Sequence, residues 1–340
     1  MQGIVFTGDC GIRLATFPDP TPGPGEVVLE IKASGMCGSD LHMYRSAPAA
    51  ISSELIRGHE PCGVVVAVGP GTIAPHARVG ARVMVHHYTG CAGCAQCDSG
   101  WPQMCEEVPV TVYGIDGHGA HAPYMKVRAD TLVPLDERLS FIAGAAISCG
   151  TGTAWGAFER MGLTGRDTVA VFGQGPVGLS ATLIASAQGA KVIAIDVDDE
   201  RLGIAKAFGA EFTVNPARDD VAEVIREYTR GKGASKVLET SGAASAALDS
   251  VRVARAWGTI GLVGLGAEFR LTLSQVLRRQ LNIVTSWTMS LQGQRACADF
   301  VIENNLELDR LFTKHWRLDQ AEEAYRLFNE QSSGKAVFIP

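Results

Sequence analysis

The chain has 340 residues, 46% of them hydrophobic and 19% charged, with a net charge of −6. That length and apolar content allow two domains with separate cores. The negative balance argues against a nucleic-acid surface, which needs clustered cations, and no apolar run approaches the roughly 20 residues of a membrane span.

The first residues, MQGIVFTGDCGIRLATF, lack a basic stretch leading into a long apolar run, so no secretory signal is expected. Next, PDPTPGPG forms a Pro/Gly turn, and the alternation that follows predicts a strand from Glu26 to Ala33. GVVVAVGPGT and ARVGARVMV predict further short strands, so residues 1–150 read as a β-rich, barrel-like domain. Within it lie Cys91, Cys94, Cys97 and Cys105, spaced C-x2-C-x2-C-x7-C. Four thiolates this close can surround one tetrahedral zinc ion, and a closed sulfur shell is a structural site. The alternatives are an iron–sulfur cluster, a pair of disulfides, or four unrelated thiols. A tight cluster in a chain without a signal favours metal binding in the cytoplasm.

Near Gly150 the pattern changes to alternating strands and helices. TVAVFG, a helix over Val177–Gln188, KVIAID, a helix over Glu200–Phe208, KVLET and GTIGLVG predict βαβ units on a parallel sheet. From about Trp287 the alternation ends in two helical stretches and a last strand, KAVFI. Periodicity alone leaves open whether this tail returns to the first domain. The class is therefore α/β with a β-rich part.

TVAVF runs into Gly173-Gln174-Gly175-Pro176-Val177-Gly178, a G-x-G-x-x-G turn between a predicted strand and helix. The first glycine permits the turn, the second lets backbone approach a pyrophosphate, and the third lets the helix pack closely. Asp196 ends the next strand, where a carboxylate can accept from a ribose hydroxyl. That carboxylate repels a 2′-phosphate, so NAD is expected over NADP. Arg201 is the nearby cation, facing the ribose edge or solvent. Asp198 and Asp199 read as a helix cap and first turn.

Cys37, His59 with Glu60, and Cys149 lie outside the cysteine cluster as further ligand candidates. Two thiolates and one imidazole leave a fourth tetrahedral position open, as a catalytic zinc requires. Singly, Cys149 is a buried thiol in an apolar run and His59 a structural histidine. Cys37-x-Ser39-Asp40-x-His42, Gly58-His59-Glu60-x2-Gly63-x5-Gly69, the cysteine cluster, Cys149 and GQGPVG follow in an order that resembles the zinc-dependent medium-chain alcohol dehydrogenases. The resemblance spans almost the whole chain. One departure is Thr72, where that signature usually ends in a small aliphatic residue.

The resemblance implies a GroES-like catalytic domain over 1–150 and 288–340, and a Rossmann doubly wound parallel-sheet domain over 151–287. It implies two zinc ions per chain: a catalytic one on Cys37, His59 and Cys149, and a structural one on the cysteine cluster. Glu60 matches a carboxylate that approaches the metal, Asp40 one that orients the histidine ligand, Ser39 the hydroxyl that receives the alcohol proton, and His42 the end of that relay. Thr153 resembles a residue packed on the nicotinamide, and Gly264 a backbone site for its carboxamide. The implied activity is hydride transfer between an alcohol and NAD, by a homodimer or homotetramer acting on a small-molecule alcohol or carbonyl. Polyol and amino-alcohol relatives usually carry a carboxylate where Cys149 stands, which favours the alcohol branch. A non-catalytic nucleotide-binding protein on this fold would be expected to lack ligands that are all present here. Segments 43–57, 86–121 and 285–300 shape the pocket, and MYRSAPAAISSELI leans towards a hydrophobic or medium-sized alcohol. Cys10, Cys62, Cys297, His86, His87, His118 and His121 read as structural.

Overall fold

The computed structural model describes residues 1–51, 54–266, 268–330 and 334–340, so the 43–57 segment is described except for Ser52 and Ser53. The chain divides into two compact units, residues 1–152 with 290–340, and residues 153–289.

In the first unit, a sheet runs Phe312–Trp316, Lys335–Phe338, Glu26–Gly35, Glu60–Val68, Arg82–Val85 and Leu132–Pro134, with Tyr124–Arg128 also on Glu26–Gly35. All pairs are antiparallel except that of the two tail strands. Alternate residues Val27, Leu29 and Ile31 enter a core with Val65, Val83, Val85, Met125 and Val127. Register shifts at Val28/Leu29 and Ile31/Ala33 mark where the long strand bends. The helix Phe141–Ile147, capped by Ser140 Oγ accepting from Ala143 N at 2.9 Å, packs on Glu26–Gly35 and Glu60–Val68. The tail helix Ala321–Asn329 buries Ala324, Tyr325 and Phe328 against Ile4, Phe6, Leu41, Tyr44 and Phe338.

In the second unit, six parallel strands lie in the order Phe212–Val214, Lys191–Ile195, Thr168–Phe172, Ala234–Glu239, Ala254–Leu262, Asn282–Thr285. The order reverses beside Thr168–Phe172, where doubly wound sheets open a binding crevice at the carboxyl ends. Ala170, Phe172, Ile193, Ile195, Val237 and Ile260 are buried there, consistent with a parallel sheet covered on both faces. Asp198 and Asp220 cap the helices Asp199–Ala207 and Val221–Tyr228 through their side chains. Among the described residues, no helix is long and apolar enough to cross a membrane.

Candidate metal centres and dinucleotide turn

Cys91, Cys94, Cys97 and Cys105 converge on the loop around the short helix Ala95–Asp98, their sulfurs all within 4.8 Å of one another. The Cys91–Cys97 and Cys94–Cys105 sulfur pairs are each 3.9 Å apart. Sulfurs at two corners of a zinc tetrahedron with bonds of about 2.3 Å stand about 3.8 Å apart, whereas a disulfide needs about 2.05 Å. The cysteines are free thiols, and the four-sulfur set fits a zinc ion. Backbone N–H groups already solvate it: Cys94 N donates to Cys91 Sγ at 3.2 Å and Cys91 N to Cys105 Sγ at 3.4 Å. Amides of Val108, Cys91 and Glu107 hold the Cys105 thiol down to about 6, which favours the thiolate a metal requires.

Cys37, His59, Glu60 and Cys149 form the second group, also within 4.8 Å. Cys37 precedes the helix Asp40–Tyr44, His59 and Glu60 open the strand Glu60–Val68, and Cys149 follows the helix Phe141–Ile147. The sheet and its packed helix thus assemble residues 112 positions apart: Cys37 Sγ and Cys149 Sγ lie at 3.9 Å, again the spacing of a zinc tetrahedron. Burial raises the cost of charge here. The bond from Cys149 pulls the Cys37 thiol well down despite burial, aided by His59, while Cys149 rises as its partner. His59 is fully buried, yet the charges of Asp40 and Cys37 raise it well above the usual range. Its Nδ1 lies 3.0 Å from Asp40 Oδ1, and Asp40 Oδ2 accepts from Cys37 N at 2.9 Å. One carboxylate therefore touches two of the convergent segments.

Glu60 is turned onto Lys335, whose Nζ stands 2.7 Å from Oε1 and 2.5 Å from Oε2. Space for this carboxylate comes from Gly35, where a Cβ would sit 1.9 Å from Oε2. Burial pushes the Glu60 carboxyl up, with Lys335 opposing the rise and the Cys37 thiolate reinforcing it. Lys335 also donates to Met36 O at 3.0 Å. Sequence reasoning missed it; its one signal is a lysine in the apolar run KAVFI.

Ser39 Oγ donates to Cys37 Sγ at 3.3 Å and lies 3.3 Å from His59 Nε2. His42 is exposed on the next turn, and its link to Ser39 is a backbone bond from His42 N to Ser39 O at 3.2 Å. The two side chains do not meet directly among the described residues. His87, read from sequence as structural, is buried with its ring 5.2 Å from that of His59.

In the second unit, Gly173 has φ +83°, the left-handed conformation its turn demands. A Cβ on Gly178 would fall 1.7 Å from Gly173 O, whereas one on Gly175 would project into open space. Gly175 caps the helix Pro176–Ala187, with Pro176 and Val177 in its first turn. A closed turn with one open face at a helix N-terminus fits a pyrophosphate. Asp196 accepts from Gln174 N at 2.5 Å and Asp198 N at 3.0 Å, and Arg201 approaches its Oδ2 at 3.9 Å. Thr153 is buried in the helix Gly150–Met161, and Gly264 packs so close to Gly242 that a Cβ would meet its N at 2.2 Å.

Residues 23–137 match the alcohol dehydrogenase GroES-like domain, and residues 176–303 match the zinc-binding dehydrogenase family. The chain belongs to the zinc-dependent medium-chain dehydrogenase/reductase family. A zinc-type alcohol dehydrogenase-like protein of Escherichia coli K12 is 35% identical over 348 residues, covering 99% of this chain and 98% of the relative. An L-threonine 3-dehydrogenase of Symbiobacterium thermophilum is 32% identical, covering 97% and 95%. Among solved structures, an alcohol dehydrogenase from E. coli CFT073 complexed with NADH superposes with a TM-score of 0.90 at 26% identity, covering 100% of this chain and 99% of that one.

Proposed function

We propose that this chain oxidises an alcohol, or reduces the matching carbonyl, with NAD, using one zinc ion on Cys37, His59 and Cys149 and holding a second on Cys91, Cys94, Cys97 and Cys105. The observation that carries the reading is the convergence of two thiols and an oriented imidazole, with Glu60 held aside by Lys335. A bound zinc supplies Lewis acidity that makes an alcohol hydroxyl easier to deprotonate. Ser39 Oγ, at 3.3 Å from both Cys37 Sγ and His59 Nε2, is placed to accept that proton. His42, exposed to solvent, can release it once a bridging hydroxyl or water spans the gap. Asp40 Oδ1, 3.0 Å from His59 Nδ1, favours the tautomer protonated there, so that Nε2, beside Ser39 Oγ, is the nitrogen that would hold the metal.

Gly173, Gly175, Pro176, Val177 and Gly178 are proposed to cradle the pyrophosphate, Asp196 the ribose, with Arg201, Thr153 and Gly264 as further cofactor contacts. The acidic ribose site supports NAD over NADP. The free thiols suit the cytoplasm, and self-association as a dimer or tetramer is proposed. The two compact units correspond to the GroES-like and Rossmann domains of this reading.

A second reading of the substrate, an alcohol bearing a neighbouring hydroxyl or amino group, is favoured by His87. Its Nδ1 donates to Ser148 O at 3.0 Å, so Nε2 is an acceptor. That nitrogen belongs to a ring 5.2 Å from the His59 ring. A second donor on the substrate, which a plain apolar alcohol lacks, would suit such an acceptor.

The test is a substrate panel followed at the NADH absorbance, with zinc counted per chain. Expected are two zinc ions, activity with NAD well above NADP at matched concentration, and loss of turnover but not of NAD binding in Cys37→Ala. Wild-type rates in that variant would remove the catalytic site from the proposal. A preference for 1,2-diols or amino alcohols that His87→Phe abolishes would establish the second reading over the first.

A further inference from the structure

Behind His59 lies a buried polar chain that links three distant segments. Tyr325, on the tail helix Ala321–Asn329, donates from its hydroxyl to Asp40 Oδ2 at 3.2 Å. His121 Nε2 lies 2.8 Å from that hydroxyl, and His121 Nδ1 lies 2.7 Å from Ser34 Oγ. His121 and Ser34 are fully buried, as is Tyr325. The proton positions follow from the fixed end. A carboxylate only accepts, so the tyrosine hydroxyl must donate to Asp40 and can only accept from His121. His121 Nε2 therefore carries the proton, His121 Nδ1 is the acceptor, and Ser34 donates to it. Burial pushes His121 down to about 4, in keeping with a neutral ring. Every bond then points the same way, from Ser34 towards Asp40, and Asp40 Oδ1 faces His59 Nδ1 at 3.0 Å.

The packing leaves these groups little choice. The Tyr325 ring meets Phe6 edge-on at 4.9 Å and Tyr44 at 5.5 Å. His121 is tied by backbone to the residues just before His59, with His121 N donating to Arg57 O and Ala120 N to Gly58 O, both at 2.8 Å. Gly58 makes way for the ring: a Cβ there would fall 2.4 Å from His121 Nδ1.

We propose that Tyr325 and His121 are positioning residues for the His59 metal ligand, a one-way hydrogen-bond chain from Ser34 that fixes the Asp40 carboxylate and, through it, the tautomer and tilt of His59. The proposal rests on the metal reading of Cys37, His59 and Cys149. Without the tyrosine donor, Asp40 keeps only Cys37 N on Oδ2 and gains freedom to rotate away from the imidazole. Groups of this kind, one step behind a metal ligand, typically change metal affinity by about 10–100-fold.

The experiment measures zinc affinity of the full chain by competition with a chromophoric chelator, together with the visible spectrum after cobalt replacement at this site. Tyr325→Phe removes one oxygen from an otherwise unchanged ring, and Ser34→Ala cuts the far end of the chain. Expected is a loss of about 10-fold or more in zinc affinity and an altered cobalt spectrum for Tyr325→Phe. A smaller loss is expected for Ser34→Ala, and the double variant should be no worse than Tyr325→Phe alone, with NADH binding unchanged throughout. Unchanged affinity and spectrum in Tyr325→Phe overturn the positioning role, as do losses that add in full. A wild-type chain that takes no metal on Cys37, His59 and Cys149 overturns this proposal and the catalytic reading together; equal binding by wild type and Tyr325→Phe overturns the positioning role alone.

Discussion

Lys335 is 2% exposed and carries its ammonium into the same interior as Glu60. Removing one member of such a pair strands the other without compensation, at a typical cost of about 3–5 kcal/mol. Lys335→Met is therefore expected to unfold at lower urea by that margin, and Glu60→Gln in the same chain to restore part of it. A double variant no better than Lys335→Met would show that packing, not charge, holds the lysine in place. His86 is a second buried titrating group, its ring nitrogens 3.3 Å from Gln294 Oε1 and Gln103 Oε1. Burial pushes it down to about 4, and the same holds for His121. An unfolded histidine takes its proton near pH 6.5, so between that pH and about 4 the unfolded chain binds more protons than the folded one. Stability is then complete above about pH 6.5 and lost as the pH falls through this window, by at most about 3 kcal/mol per histidine. Urea midpoints measured from pH 7 to 5 should fall, and fall less in His86→Gln.

Among elements, those defined by local pattern were readable and those defined by distant partners were not. The strands over Thr168–Phe172 and Lys191–Ile195 and the helix Pro176–Ala187 lie within a residue or two of their sequence expectation, because turn glycines and apolar runs bound them. The cysteine lobe was equally local. By contrast, the sequence pattern does not mark the hairpin of Gln2–Gly8 with Gly11–Thr16 or the strand Phe312–Trp316; FTKHW lacks an alternating apolar face. Cys37, His59 and Cys149 could be named as candidates, but their convergence depends on the sheet. Lys335 and Tyr325 lie 275 and 285 residues from Glu60 and Asp40, and nothing local, beyond a lysine in an apolar run, names either partner. The glycine turn offers a test at this scale, since its three glycines are needed for different reasons. Gly178→Ala would drive a Cβ into Gly173 O and is expected to lower the melting temperature along with NADH affinity. Gly175→Ala meets no protein atom within 4 Å, so it should melt like the wild type while losing NADH affinity. Full NADH binding by Gly175→Ala would show that the pyrophosphate does not lie over that residue.

At the scale of the whole molecule, the parallel sheet ends in a short strand, Asn282–Thr285, with Ile283 exposed. An edge of this kind offers unpaired backbone donors and acceptors to another chain. Around the same part of the fold, Trp257 is 72% and Leu273 69% exposed, with Leu277 also open to solvent. Trp257 N donates to Arg279 O at 2.8 Å, which ties the Trp257 backbone to the segment leading into the edge strand. Trp257 also holds φ +62°, a conformation that a bulky residue adopts at a cost. Large apolar side chains held outward beside an open edge are more economically explained by a covering surface than by contact with water. A second copy of the strand can supply it, because two-fold symmetry brings identical edges together antiparallel. The expectation is a dimer or tetramer in sedimentation velocity at micromolar concentration. Ile283→Lys places a charge on that edge and should shift the boundary towards the monomer while leaving NADH binding intact. A wild-type chain that sediments as a monomer, or a variant that sediments unchanged, would rule this edge out as the contact.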